Sequence, residues 1–110
     1  MNNTKPLNIN TITEQEVSEL KAGDMLDHLV HQAIDDNKQG HWIVVLDYST
    51  DPEDFYWLTK MLIEKCEFYS FHMTADGYNV EYDFGRGIVQ GEDIMEALCK
   101  AVVLNRIANR

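Results

Sequence analysis

The segment from 42 to 64, WIVVLDYSTDPEDFYWLTKMLIE, constrains the fold of this 110-residue chain more than any other stretch. Residues 43–46 form a short apolar run rich in β-branched side chains, which is typical of a strand buried on both faces. Pro52 cannot donate to a sheet ladder, but its fixed φ suits the first turn of a helix. Thr50 would cap that helix, and Asp51 is the alternative cap. The segment therefore predicts a strand that leads directly into a helix.

Helical spacing of apolar residues also appears on either side of this segment. Before it, residues 26–34 carry an apolar stripe, and Thr13 is placed to cap the start of the helical stretch. Gly23 is expected to divide that stretch into a short helix and a longer one. After the segment, residues 92–107 predict a last helix with acidic residues at its positive end.

Two alternating segments between these helices predict an antiparallel hairpin. Residues 68–74 and 78–84 alternate in polarity, and the turn at 75–77 reads Ala-Asp-Gly. Residues 85–87 suit a sharp turn or bulge, and 88–90 would extend the sheet. The predicted fold class is α+β, a small α/β sandwich in the order α-β-α-β-β-α. Its sheet is mainly antiparallel, with three to four strands covered by three helices.

The length and composition indicate one domain. A chain of this size can bury a core without disulfides, and 45% apolar residues fit a globular protein. Residues 1–12 are predicted to form a flexible arm, with Leu7, Ile9 or Ile12 as possible anchors, and 13–110 to form the domain.

Charge and hydropathy exclude several partners. The net charge of −10, from 19 acidic and 9 basic residues, argues against nucleic-acid and anionic-membrane binding and favours a basic partner. No apolar run is long enough to span a bilayer, and the N-terminus lacks the apolar core of a signal peptide. A cytoplasmic protein is expected, with Cys66 and Cys99 as reduced thiols.

Three short motifs resemble a known family. They are the Ala-Gly-x-x-Leu-Asp-x-Leu-Val sequence at 22–30, Tyr-Ser-Thr-Asp at 48–51, and Glu-Ala-Leu-Cys-Lys-Ala at 96–101. These are similar to segments of the phage ABA-sandwich domain family. The chain departs from that family in its longer N-terminal stretch, 1–20, and in lacking a short Gly-rich lead into the last helix. The resemblance implies a small α/β sandwich encoded by a phage or prophage. It implies no catalytic residues, because the family has no agreed activity.

The chain carries no pattern typical of a catalytic or metal site. Asp24, Asp27, His28 and His31 share one helix flank, so two His and one Asp could hold a divalent metal. The spacing of a strong zinc site is absent, however, and neither a metal nor a cofactor is predicted. Cys66 and Cys99 are expected to be inert, and no nucleophilic triad or phosphate loop is present. The protein is therefore not predicted to be an enzyme.

Acidic and aromatic residues are the candidates for binding. Acids dominate the segment from 67 to 96, and a second acidic group lies at 47–54. The adjacent aromatics at 56 and 57 cannot both face the core stripe of their helix. The predicted binding residues are Glu81, Asp83, Glu92, Asp93, Glu96, Tyr56 and Trp57. A solvated sheet edge and a homodimer interface at the hairpin edge are the alternatives that remain open.

Three functional hypotheses follow. The first is a phage-encoded accessory protein that binds, and inhibits or modulates, a host defence or nucleic-acid-processing protein with a basic surface. The second is a protein that sequesters a nucleotide-like signal at an oligomer interface, using Trp57, Tyr48, Arg86 and Arg106. The third is a structural homo-oligomeric module. A homo-oligomer is expected in any case.

Overall fold

The computed structural model describes residues 8–34, 45–65, 67 and 69–110. Four helices and three strands follow one another in this part of the chain. They are α1 (Glu14–Ser18), α2 (Asp24–Ile34), α3 (Pro52–Glu64), β1 (Ser70–Thr74), β2 (Gly77–Tyr82), β3 (Gly87–Gly91) and α4 (Ile94–Ala108). The strands pair in the order β1-β2-β3 and are antiparallel throughout. The predicted α+β class and antiparallel sheet are confirmed.

Polar side chains set the starts of three helices. Thr13 forms a capping box with Glu16 at α1, in which each side chain binds the other residue's backbone N–H. Asp51 caps α3 by accepting the N–H of Glu53, so the alternative cap is the one the structure uses. Asp93 caps α4 in the same way. Local capping chemistry therefore fixes where these helices begin.

The face of the sheet that packs on α4 is built around Val80. Its cross-strand partners are Phe71 on β1 and Val89 on β3, so the three side chains share one face. Val80 is fully buried and Val89 nearly so, because α4 packs against β2 and β3. At one end of this face, the ring of Tyr82 covers Gly87, where a Cβ would collide with it.

Two strand predictions differ from the structure. The predicted strand 78–84 ends at Tyr82, because Asp83 and Phe84 have φ of 54° and 58° and turn the chain in the left-handed region. Asp83 therefore does not share a strand face with Glu81. The predicted strand 43–46 lies half outside the described residues, and its described half, Val45 and Leu46, lies outside any strand.

The last helix organises the core. Seven of its residues are buried, and it contacts β2, β3, α1 and α2. Its buried residues are Ala97, Leu98, Cys99, Ala101, Val102, Val103 and Leu104. The residues before α1 also join the core, because Ile9 and Ile12 are buried and their carbonyls both accept hydrogen bonds of 3.0 Å from Arg110 Nη1.

Candidate functional site

Three aspartates meet where the start of α2 approaches the turn before α3. Asp24 and Asp27 lie in the first turn of α2, and Asp47 lies 20 residues further along the chain than Asp27. One carboxylate oxygen from each residue lies within 4.8 Å of the other two. Asp24 and Asp47 are exposed, whereas Asp27 is only 2% exposed. We refer to Asp24, Asp27 and Asp47 as the aspartate cluster.

Ser49 holds the two sides of this cluster together. Its backbone N–H donates to Oδ1 of Asp27 at 2.8 Å, and its hydroxyl oxygen accepts the N–H of Gly23 at 2.8 Å. The Ser49 side chain is fully buried. On the other side of the turn, the N–H of Asp47 donates to Oδ2 of Asp54 in α3 at 2.9 Å. The turn is therefore fixed to both α2 and α3.

The buried side chain of Asp27 has one carboxylate oxygen without a hydrogen-bond partner among the described residues. This oxygen, Oδ2, is inaccessible to solvent. Burial raises the pKa of Asp27, and the nearby charges of Asp47 and Asp24 add to the effect, while hydrogen bonds from Ser49 oppose it. The environment of this side chain therefore disfavours an isolated negative charge.

Of the four residues that the sequence places on one flank of α2, only the two aspartates belong to this cluster. His28 directs Nδ1 to the carbonyl oxygen of Asp24, 2.9 Å away. His31 is half-buried, and within the described residues its Nδ1 has no partner. Sequence reasoning missed Asp47, because spacing along a helix carries no information about a turn that folds back onto it.

The two predicted binding residues on β2 and its following turn are engaged within the chain. Glu81 lies 3.4 Å from His72 Nε2 on the neighbouring strand. Asp83 lies 3.9 Å from Arg86, and its side chain is mostly buried in the turn. Each of these two acids therefore has a His or Arg side chain close to it.

The acids around the start of α4 have separate roles. Glu92 is exposed and, with Asp76, lines a shallow cleft of about 310 Å³ at the end of the sheet. Asp93 is the α4 cap. Glu96 accepts the N–H of Ala22 at 3.1 Å and pairs with Lys100 at 3.4 Å, so it ties α4 to the segment before α2. Two of these three predicted binding residues thus stabilise the fold.

The solvent side of α3 carries a stripe of large side chains. Tyr56, Trp57 and Ile63 are 64%, 53% and 74% exposed, whereas Leu58 and Leu62 on the opposite side are buried. The ammonium group of Lys60 lies 5.8 Å from the centre of the Tyr56 ring. We call Tyr56, Trp57, Lys60 and Ile63 the α3 outer face. Both predicted aromatic binding residues lie on it, together and uncovered.

The residues of the ligand-sequestering hypothesis lie in separate elements. Tyr48 is buried in the turn before α3, where burial and the charge of Asp54 raise its pKa to about 12. Trp57 is on the α3 outer face, and Arg86 is in the turn after β2 beside Asp83. Arg106 lines a cavity of about 240 Å³ at the end of α4. Tyr48 is therefore not available to stack on a ligand.

The cysteines divide between the described and undescribed parts of the chain. Cys99 is a free thiol buried in the core, and burial raises its pKa well above the ordinary value. A thiol that stays protonated is a poor nucleophile, which agrees with the predicted inert role. Cys66 lies outside the described residues.

One edge of the sheet, formed by β1, has no strand paired to it among the described residues. All five residues of β1 are exposed, including the apolar side chains of Phe71 and Met73. Met73 is 83% exposed. β1 therefore presents both an unpaired strand edge, within the described residues, and apolar side chains.

Comparison with known proteins gives no match. No family model fits the sequence, and no curated protein or solved structure is significantly similar to it. The likeness to the phage ABA-sandwich family therefore rests on the three short motifs. None of the helices in the described residues has both the length and the apolar character needed to cross a membrane.

Proposed function

We propose that this protein acts by binding another protein through the α3 outer face. The observation that carries the proposal is the exposure of Tyr56, Trp57 and Ile63 on one side of a single helix. Aromatic side chains are enriched in protein interfaces and depleted from free surfaces, because they bury a large area at low entropic cost. Two exposed aromatic side chains and one exposed aliphatic side chain on the same helix therefore offer an apolar contact surface to a partner.

The net charge of the chain favours a basic partner. Glu53 and Glu64 are exposed at the two ends of α3, and the whole chain carries a net charge of −10. Such a field repels acidic proteins and nucleic acids and accelerates the encounter with basic surfaces. A partner with an apolar groove rimmed by Lys or Arg fits both features.

The resemblance to a phage family indicates where that partner would be found. A phage-encoded binding protein acts in the host cytoplasm, and proteins that handle nucleic acids carry the basic surfaces required here. We therefore propose a host defence or nucleic-acid-processing protein as the partner, with inhibition or modulation as the outcome. The proposal needs no catalytic step.

A comparison of variants in a capture experiment tests this proposal. The tagged protein is incubated with host lysate, and retained proteins are identified by mass spectrometry for the wild type and for Trp57→Ala and Ile63→Ala. The control is Phe84→Ala, because Phe84 is equally apolar and exposed but lies in the β2–β3 turn. Truncating an interface anchor costs about 2 kcal/mol or more, which is roughly a 30-fold loss of affinity.

The proposal is supported if one defined protein is retained by the wild type and by the Phe84 control and is lost from both α3 variants. That protein, once purified, should bind more weakly at moderate salt than at low salt. Equal retention by the wild type and the α3 variants would show that the α3 outer face is not the contact.

The open edge of β1 favours self-association as a second candidate. An antiparallel pair of β1 strands centred on His72 would place Phe71 of one copy opposite Met73 of the other, and would extend the sheet to six strands. The test is the molar mass in solution by light scattering over a range of concentrations. A dimer that Met73→Lys converts to monomer would support this arrangement, and a wild-type monomer at high concentration would exclude it.

A further inference from the structure

We infer that the aspartate cluster of Asp24, Asp27 and Asp47 is a binding site for one hard divalent cation, Ca²⁺ or Mg²⁺. This inference is independent of the partner-binding proposal, because none of the three residues belongs to the α3 outer face. It departs from the sequence-based expectation that the chain binds no metal.

The separation of the oxygens fits a single ion. The three carboxylates each bring one oxygen within 4.8 Å of the others. Ligands on opposite sides of a Ca²⁺ ion lie about 4.8 Å apart, since each Ca–O distance is about 2.4 Å, and adjacent ligands lie closer. The three side chains can therefore reach one ion with at most small rotations. Because Asp24 and Asp47 are exposed, water has access to the remaining coordination positions.

The unpartnered oxygen of Asp27 is a second observation, independent of the clustering of the acids, that points to a ligand. Asp24 does not need a bound ligand to compensate its charge, because it is exposed and lies at the positive end of α2. Asp27 differs, because its Oδ1 is used by Ser49 while its buried Oδ2 lacks a donor within the described residues. Leaving a carboxylate oxygen buried and unpaired is costly, and a cation in the cluster would remove that cost and the repulsion from the two neighbouring acids.

The ligand types select the class of ion. An all-carboxylate set suits Ca²⁺, Mg²⁺ and Mn²⁺, whereas Zn²⁺ and Cu²⁺ favour imidazole and thiolate ligands. His28, the nearest imidazole along the helix, commits Nδ1 to the carbonyl oxygen of Asp24. The cluster therefore offers hard oxygen ligands.

Cation titrations of the full chain test the inference. The protein is stripped with a chelator, and CaCl₂ or MgCl₂ is added at an ionic strength held constant with KCl, so that general screening of the acidic surface does not change. Thermal unfolding and calorimetry are then recorded. We expect saturable binding of one ion per chain and a rise in Tm of about 10 °C when the ion is at 100 times its Kd.

Charge-matched variants locate the site. Asp27→Asn keeps the shape of the side chain and should abolish both the heat of binding and the Tm shift, and so should Asp47→Asn. The control is Asp76→Asn, which removes one exposed charge from the β1–β2 turn and should respond as the wild type does. An equal Tm shift in Asp27→Asn and Asp76→Asn, or no saturable binding by the wild type, would overturn the inference.

Paramagnetic broadening by Mn²⁺ provides a readout that does not depend on the variants folding. In NMR spectra of the wild type, the amide signals of Asp27 and Ser49 should broaden at the lowest Mn²⁺ concentrations, because both lie at the proposed site. Broadening that begins instead at Asp76 and Glu92, the acids of the cleft at the sheet end, would contradict the assignment. Asp24→Asn, at an exposed position, repeats the loss-of-binding test if Asp27→Asn does not fold.

Discussion

Ser49 provides the sharpest test of how the turn before α3 is attached to α2. Ser49→Ala removes the hydroxyl oxygen that accepts the N–H of Gly23 at 2.8 Å, while the backbone N–H of Ser49 keeps its bond to Asp27. The loss of a partner by a buried donor costs about 1–3 kcal/mol. Gly23 is only half-buried, so water can partly replace the lost acceptor, and we expect the lower half of that range.

For a domain of this length, each kcal/mol corresponds to about 4 °C in Tm, so the expected fall is about 4–8 °C. Urea unfolding followed by circular dichroism measures the same loss as a lower midpoint with an unchanged slope. The control is Ser18→Ala in α1, where the hydroxyl donates to the Gln15 carbonyl oxygen at an exposed position. That substitution should change the free energy of unfolding by less than about 0.5 kcal/mol. If the two variants lose the same stability, the bond between Ser49 and Gly23 does not hold the turn to α2.

Three further substitutions test other parts of the fold. Gly77→Ala should destabilise the protein by about 2 kcal/mol or more in urea unfolding, because its φ is 140° and its Cβ would collide with the Gly91 carbonyl oxygen; unchanged stability would contradict the close approach of β2 and β3. Asp51→Ala should cost about 1 kcal/mol by removing the acceptor for the Glu53 N–H, and a neutral effect would mean that α3 does not depend on this cap. Burial raises the pKa of Tyr48 from 10.0 to about 12, so the stability from keeping it neutral is complete below pH 10 and is lost as the pH rises towards 12. Tyr48→Phe should make the fall in Tm between pH 10 and pH 12 smaller than in the wild type, and an identical fall in both proteins would refute the assignment.

Local sequence patterns were sufficient for the hairpin and the helix starts, but not for the predicted strand at 43–46, whose described residues Val45 and Leu46 lie outside any strand. The hairpin followed from alternation and an Ala-Asp-Gly turn, and the helix starts followed from cap residues whose interactions span only two or three positions. The alternation at 78–84 nevertheless overran the end of β2, because the side chains of Asp83 and Phe84 continue the polar–apolar pattern while their backbones turn into the left-handed region. The hydrophobic pattern indicates which side chains can be buried, but it carries no information about the backbone φ angles that end a strand.

Local sequence patterns do not predict the aspartate cluster, because one of its members comes from a distant turn. Helical spacing places Asp24 and Asp27 on one flank of α2, and it adds His28 and His31 as the other members of that flank. The actual third member, Asp47, is brought in by the turn that Ser49 fixes to α2. A contact between residues about 20 positions apart depends on tertiary packing, for which a single sequence offers no periodic signal.

The large negative charge of the chain also says less about function than its magnitude suggests. A net charge of −10 predicts a broad negative surface, but two of the acids in the predicted binding set stabilise the fold: Asp93 caps α4, and Glu96 accepts the backbone N–H of Ala22. Carboxylates are suited to such work because they accept hydrogen bonds from free N–H groups at helix starts and strengthen them with charge. The number of acidic residues therefore does not distinguish acids that bind a partner from acids that cap helices or form hydrogen bonds within the fold. The aromatic residues at 56 and 57 are more informative, because a large side chain left in solvent on a rigid helix makes no comparable contribution to folding.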